Sequence, residues 1–531
     1  MIPEPVVTPY TPARLPDGEV MTGLGQVLAR RARMTPDLPA IRTEERTWTF
    51  AELDAEATRL ASWLVGRGLG PGDRVVVLGT HHPRTLAAVH GAARAGMVPV
   101  VVNPLSAPRE LTEMVADCDP AAIVLAGGEA PGLSAEPPAD RVLLGLGGGP
   151  SPENLVAPDP GTAPYAPAGP DEVGLMLYTS GTTGRPKGIE LTGHNLVAQY
   201  GAIQDLNELG PGSVAMAPLP FFHIAGLGYA VLATLNGAEL LLLPSVPATE
   251  LASVWLEYGV THVVVVPAIL QALVGRADVR GRDWSRLRYM TYGASAMTPE
   301  LLREAQEVFG CRFLQGYGLT ETTGGVTLLS PDDHDRADQE PHRLASVGRA
   351  LPGSAVAVID PDTLEVLPPG AHGEVVVGGH QVMRGYWRDP EETASARVGG
   401  WFRTGDMGSF DEDGFLYLHD RLKDMLISGG ENVYPAEIER VLSSLPGILD
   451  AAVVGVPSRR WGESPFAVVV RAPGSEIGEE TVLTHCREQL ARFKVPTGVA
   501  FVVELPRNAT GKVRRGELRR WVLTRTEGAG G

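Results

Sequence analysis

Tyr178-Thr179-Ser180-Gly181-Thr182-Thr183-Gly184-Arg185-Pro186-Lys187-Gly188 follows on the apolar run Val173-Gly174-Leu175-Met176-Leu177. The run reads as a strand, and the polar stretch as the loop that leaves it. Its glycines let backbone N–H groups turn toward a ligand with no Cβ in the way. Its hydroxyls add donors, and the lysine adds a compact positive charge suited to a polyphosphate. No Ser or Thr follows the lysine and the glycine spacing is wrong for a Walker A loop, so that motif is excluded. Composition alone leaves a phosphate cradle and a polar surface loop equally open.

Around this stretch, apolar strands alternate with helices. Residues 23–34 and a longer segment starting at Phe50 and ending at Gly66-Arg67-Gly68 read as helices, with short strands at Ala40-Ile41 and Thr47–Phe50. Strands follow at 74–78 and 98–102, then at 213–217, 239–243, 262–266 and 288–291. That rhythm predicts an α/β fold built on mostly parallel sheets covered on both faces. Residues 127–170, crowded with Gly, Pro and Ala, read as a linker. From residue 346 short strands alternate with Gly/Pro/Asp turns, which predicts a β-rich subdomain. A compact α+β segment follows, with helices at 435–445 and 479–490, strands at 448–456 and 466–470, and a last strand at 498–503. We place the boundaries at 1–420 for a large N-terminal domain, 421–423 for a hinge and 424–531 for a small C-terminal domain.

A chain of 531 residues exceeds the size of a single core, in keeping with this division. The net charge of −18 argues against a nucleic-acid partner. Three widely spaced cysteines suggest neither a disulfide framework nor a zinc site and fit a reducing cytosol. No signal peptide and no apolar run of membrane-spanning length is present, so a soluble, cytoplasmic protein is expected. Lysine usage is more informative. Of 45 basic residues only Lys187, Lys423, Lys494 and Lys512 are lysines. Arginine serves elsewhere, so sites that retain the compact ammonium are candidates for chemistry.

Further motifs lie at Leu314-Gln315-Gly316-Tyr317-Gly318-Leu319-Thr320-Glu321-Thr322, Thr404-Gly405-Asp406, Asp420-Arg421-Leu422-Lys423-Asp424 and Pro506-Arg507-Asn508-Ala509-Thr510-Gly511-Lys512. Together with the 179–188 loop, in this order and spanning nearly the whole chain, they resemble the adenylate-forming superfamily. That superfamily contains acyl- and aryl-CoA synthetases, nonribosomal adenylation domains and beetle luciferases.

The resemblance implies roles residue by residue. Thr179, Ser180, Gly181, Thr182, Thr183, Gly184 and Lys187 would hold the β- and γ-phosphates of ATP. Thr320 would bond the α-phosphate, and Glu321 would offer Mg²⁺ a hard oxygen ligand. Gly293, Ala294 and Ser295 with Gln315, Gly316, Tyr317 and Gly318 resemble the adenine slot, Tyr317 stacking on the base. Asp406 and Arg421 resemble the ribose-binding pair. Lys512 resembles the catalytic lysine that bridges the substrate carboxylate and the α-phosphate. Lys423 holds the hinge position about which the small domain rotates between two half-reactions. Ser428, Gly429 and Gly430 would then pass a pantetheine arm, with Trp461, Arg459 and Lys494 as further coenzyme A candidates.

His223, in Pro220-Phe221-Phe222-His223-Ile224, resembles the gate between acyl pocket and thiol tunnel. Amino-acid-activating relatives carry an aspartate after the corresponding aromatic residue, whereas this chain has His223 in apolar surroundings. A non-amino-acid substrate, fatty or aryl, is therefore expected, with Gly226, Gly228, Gly293, Gly318 and Gly325 leaving room for it. Ser458-Arg459-Arg460 and Phe493 depart from the common pattern on the coenzyme A side. The acceptor is accordingly read as coenzyme A, with the phosphopantetheine of an acyl carrier protein as the nearest alternative and a nucleotide-binding pseudoenzyme as the non-catalytic one.

Overall fold

The computed structural model describes residues 2–104, 106–126, 142–146, 168–180, 186–295, 297–336, 340–421, 426–428, 431–458, 462–507 and 512–527. Two large sheets form its centre. In the seven-stranded sheet Val173–Ser180, Val98–Val102, Arg74–Gly79, Ala122–Ala126 and Val142–Leu146 run parallel, and Pro186–Thr192 and Gly385–Tyr386 extend the other edge antiparallel. In the nine-stranded sheet six strands from Pro39–Arg42 to Arg312–Leu319 pair parallel, with antiparallel strands at both edges. The strand Arg74–Gly79 is buried along nearly its whole length, as expected of a central strand covered on both faces.

Helices between the strands close the largest hydrophobic cluster, which joins residues of both sheets. Helix Phe50–Gly66 starts at a capping box: the Thr49 hydroxyl accepts from Glu52 N, and the Glu52 carboxylate accepts from Thr49 N at 2.8 Å. The β-rich segment is a five-stranded antiparallel sheet ending in Leu416–Arg421. A second five-stranded sheet, with helices Pro435–Ser443 and Glu479–Gln489, forms a separate C-terminal domain. The fold is mixed α/β, as expected.

Two expectations need correction. The segment read as linker contains the strand Val142–Leu146, paired parallel with Ala122–Ala126. Its short apolar run is hidden by the Gly, Pro and Ala on either side. The chain also continues past the strand Val499–Val502 into a helix, Arg515–Glu527, in which Leu518 and Val522 lie one turn apart, both buried, under an otherwise charged surface. No helix among the described residues is long and apolar enough to cross a membrane.

Gly91 brings helix Pro83–Arg94 against helix Phe50–Gly66; a Cβ there would stand 2.6 Å from the Ala57 carbonyl oxygen, whereas Gly66 has nothing within 4 Å. Gly91→Ala should lower the thermal unfolding midpoint, reflecting the about 1–3 kcal/mol typical of overpacking. Gly66→Ala should hold or raise it. Equal effects of the two substitutions would contradict this packing. Acid sensitivity follows from His334, whose Nδ1 donates to Ser330 O at 2.7 Å while its Nε2 accepts from Tyr292 Oη at 3.0 Å. Burial pushes this imidazole down to about 4, so it is neutral in the fold. Its contribution is intact above the ordinary histidine value of about 6.5 and is lost as pH falls from there through about 4. Denaturation midpoints measured from pH 7 to 4.5 should fall, and the fall should be shallower in His334→Gln. An identical slope in the variant would remove His334 from the account.

Candidate active site

The strands Val173–Ser180 and Pro186–Thr192 form a hairpin with Thr179 opposite Lys187. The register places the lysine on a fixed ladder rather than on the loop between the strands. Its ammonium is paired with the Glu392 carboxylate and stands 5.1 Å from the centre of the Tyr386 ring. Tyr386 sits on the short strand that pairs with Ile189 and Glu190, and its hydroxyl donates to Glu321 Oε1 at 3.3 Å. Glu321 lies in the 3₁₀ turn Thr320–Thr322, which ends the strand Arg312–Leu319. Thr323 closes that turn with a left-handed φ of 59°, held by its hydroxyl donating to Gln381 O at 2.6 Å.

A cavity of about 1170 Å³ opens beside this turn, lined by Thr179, Lys187, His223, Thr320, Glu321 and Lys512 among others. Gly293, Ala294, Gly316 and Gly318 form part of its wall. Strands Tyr289–Gly293 and Arg312–Leu319 pair with Gly293 opposite Gly316. A Cβ on Gly293 would collide with the Gly316 carbonyl oxygen, and Ala294 leaves the strand with φ 65°. Ser295, Gln315, Tyr317 and Asp406 are not lining residues. Gln315 is buried, and the Tyr317 hydroxyl donates to Asp406 Oδ2 at 2.8 Å. Asp406 faces Arg421 directly across the antiparallel ladder. Its stretch of the strand Trp401–Phe410 is set by Thr404, which donates to Val375 O at 2.6 Å and accepts from Asp406 N at 3.0 Å.

His223 caps the start of helix Ile224–Asn236 with extended backbone angles and packs its ring 4.5 Å from that of Phe222. Its Nε2 is buried without a hydrogen-bond partner. Burial, reinforced by the Lys512 ammonium, pushes the imidazole down to about 4, so it is neutral at pH 7. Lys512 reaches this site from the C-terminal domain, next to a bridge between Arg507 and Val513. Arg515, one turn on, is tied to Glu439 and donates to Val453 O at 3.0 Å, anchoring the segment to its own domain.

Several expected site residues fall elsewhere. Gly181, Thr182, Thr183, Gly184, Lys423, Gly429, Gly430, Arg459 and Trp461 lie outside the described residues, as do the side chains of Ser180, Arg421 and Ser428. Lys494 is held by both Glu437 carboxylate oxygens, at 2.7 and 2.8 Å, and does not line the cavity. The glycines expected to make room for an acid chain divide. A Cβ on Gly226 would strike the Leu219 and Pro220 carbonyls, and one on Gly318 the Gly324 carbonyl, so with Gly293 these serve close backbone packing. Gly228 and Gly325 are the less crowded pair, a Cβ on either meeting nothing nearer than 3.8 Å. Tyr386, Glu392 and Glu374 line the cavity without having been singled out. The scarcity that marks the lysines has no counterpart for acidic residues in so acidic a chain.

The AMP-binding enzyme family profile matches residues 28–387, and that of the AMP-binding enzyme C-terminal domain matches residues 437–512. A feruloyl-CoA synthase of Amycolatopsis sp is 39% identical over 500 residues, covering 94% of this chain and 99% of that protein. The fatty acid–[acyl-carrier-protein] ligase ScoC of Streptomyces coeruleorubidus is 37% identical over 93% of this chain and 96% of its own. The structure of ATP-bound MatB from Rhodopseudomonas palustris matches with a TM-score of 0.84 at 33% identity, covering 94% of this chain and 98% of that one. Motif order, fold and full-length similarity agree: the chain belongs to the AMP-binding enzyme family, within the adenylate-forming superfamily of acyl-CoA, aryl-CoA and fatty acid ligases.

Proposed function

We propose that the protein activates a non-amino carboxylic acid with ATP, giving an acyl-adenylate and pyrophosphate, and then transfers the acyl group to coenzyme A, giving a thioester and AMP. The observation that carries this reading is the convergence on one cavity of Lys187, Thr320, Glu321 and His223 from the large domain and Lys512 from the small one. In the first step a carboxylate oxygen attacks the α-phosphorus, forming an O–P bond as the bond to pyrophosphate breaks. Both reactants are anions, so the protein's contribution is positioning and charge neutralisation.

Lys187 exchanges its Glu392 partner for the outer phosphates, aided by Thr179 and the hydroxyls of the adjoining loop. Thr320 donates to the α-phosphate, and Lys512 spans that phosphate and the attacking carboxylate. Gly293, Ala294 and Gly316 offer a flat wall to the adenine, while Asp406, next to the lining residue Gly405, exchanges its Tyr317 partner for the ribose hydroxyls, with Arg421 opposite it on the ladder. Glu321 presents one carboxylate steadied by Tyr386, and no group of three metal-ligating side chains occurs among the described residues. A single carboxylate fits Mg²⁺, which is commonly held by one or two carboxylates plus substrate phosphates. The ion supplies neutralisation of phosphate charge.

For the second step the small domain, residues 424–531, turns about a hinge at 421–423 and brings the Ser428–Gly430 region and Trp461 to the thiol. The thiol sulfur attacks the acyl carbon, the thiol proton is released, and AMP departs. Neutral His223 beside Phe222 separates the acyl pocket from the approaching thiol. A carrier-protein phosphopantetheine is the second reading of the acceptor, favoured by the 37% identity to ScoC and by Ser458-Arg459-Arg460 on the proposed thiol side.

Lys512→Ala should lower ATP–pyrophosphate exchange with a turned-over acid by about 10²–10³-fold or more, the range for loss of one transition-state charge stabiliser. Unchanged exchange would contradict its role. Lys187→Ala should raise the KM for ATP, whereas Glu392→Gln, which removes the competing carboxylate, should lower it severalfold. If both variants raise that KM alike, Glu392 supports Lys187 rather than competing for it.

A further inference from the structure

Lys512 lines the cavity from the C-terminal domain, so the contacts between the two domains decide where its ammonium stands. Two of those contacts meet separate elements of the large domain. The first involves helix Pro267–Val274, which follows the strand His262–Val265 where Val264, Val265 and Val266 line the cavity. Gln271 on this helix donates from Nε2 to the Leu449 carbonyl oxygen of the C-terminal domain. The ladder there pairs Ile448 with Arg471 and Asp450 with Val470, which makes Leu449 a bulge residue. A bulge takes one residue out of the ladder and re-aims it. The exposed Leu449 is turned toward the large domain in this way.

The second contact is aromatic. His372 precedes the strand Gly373–Gly379, and His419 lies on Leu416–Arg421, the strand that runs into the proposed hinge. Their rings stack, with centres 4.0 Å apart and planes 17° from parallel. His419 Nε2 stands 2.9 Å from Ser409 Oγ, which fixes the orientation of its ring. Tyr434 caps the start of helix Pro435–Ser443 in the C-terminal domain. Its ring centre is 6.4 Å from that of His372 and 6.3 Å from that of His419. Burial, reinforced by His372 and by Arg440 on the same helix, pushes His419 down to about 4. A neutral ring at pH 7 can face Arg440 without charge repulsion.

Both contacts lead to Lys512. Asp450, beside the bulge, accepts from Arg507 at 2.6 Å, and Arg507 is bridged to Val513. Helix Pro435–Ser443, which begins at Tyr434, carries the Glu439 that holds Arg515. The lysine is thus flanked by two arginines, one tied to each docking contact. A hinge alone leaves a domain free to turn, whereas two further contacts on separate elements fix its orientation. We propose that Gln271 and the His372–His419 pair form a two-point latch that holds Lys512 in place for adenylation and releases it for thioester formation. They are positioning residues for the first half-reaction and take no part in the second. The inference rests on the two-step function proposed above.

The test assays the two half-reactions apart in the full-length protein. Adenylation is read as ATP–pyrophosphate exchange with the best acid of a pooled fatty and aryl panel. Thioester formation is read from the synthetic adenylate of that acid with coenzyme A. Gln271→Ala and His372→Ala should each lower kcat for exchange about tenfold or more, because a small misplacement of a reacting group is costly. Both variants should form thioester from the supplied adenylate at the wild-type rate or faster. His372→Phe, which keeps a flat ring on His419, should restore most of the exchange lost in His372→Ala. Equal losses in the two half-reactions, the result of a merely structural role, overturn the latch. So does unchanged exchange in either alanine variant, or a loss in His372→Phe as deep as in His372→Ala. Absence of exchange with every acid, or of thioester from the adenylate, in the wild type would instead overturn the two-step function itself, and the inference with it.

Discussion

The ammonium of Lys187 is held by Glu392 over the face of Tyr386, whose hydroxyl reaches Glu321. This short chain of contacts ties the phosphate hairpin to the strand Gly385–Tyr386, the helix Pro390–Ser395 and the turn Thr320–Thr322. It rests on ladder register: Lys187 pairs with Thr179, and Tyr386 pairs with Ile189 two residues further along the same strand. A one-residue slip would turn the lysine to the other face of the sheet. The apolar strand Val173–Ser180, paired on its other side with Val98–Val102, makes that slip costly because its core residues would slip too. A cation can therefore be kept in a fixed place without a ligand, poised between a carboxylate and whatever anion displaces it.

The remaining geometry divides between rigid and assembled parts. Glycine contacts bring Gly293 against Gly316 and Gly318 against Gly324, so the cavity wall is backbone packed on backbone. Ala294 and Thr323 hold left-handed angles at the two ends of that wall, each costing about 1–3 kcal/mol. The hydroxyl of Thr323, bonded to Gln381 O, is one of the contacts that fix this geometry. Lys512 differs in kind. It arrives from a separate domain on a segment anchored by Arg515 and Glu439, so its position depends on how that domain is docked. In the proposed chemistry a charge needed for one half-reaction can then be withdrawn for the next.

Much of this organisation was legible in the sequence. Period-2 and buried-strand patterns located the sheets, because burial on both faces leaves long apolar runs such as Arg74–Gly79. The lysine scarcity pointed to Lys187 and Lys512, which do line one cavity, but also to Lys494, which is bound to Glu437. Scarcity marks where an ammonium is kept, and a compact salt bridge keeps it as well as a phosphate site does. The strand Val142–Leu146 escaped notice because four apolar residues and a glycine inside a Gly/Pro-rich stretch carry too little periodicity to stand out. The far end of the cavity was equally hidden: Gln199, Tyr200, Asn207 and Tyr229 sit on or beside apolar helices, and only packing shows that they line it.

The central claim is that a carboxylate oxygen becomes bonded to the α-phosphorus of ATP. Carboxyl-¹⁸O-labelled acid, incubated with ATP, Mg²⁺ and coenzyme A, tests it by the mass of the nucleotide released. The account predicts AMP carrying one ¹⁸O, formed together with pyrophosphate and a thioester. Unlabelled nucleotide, or ADP with the label in inorganic phosphate, would contradict it.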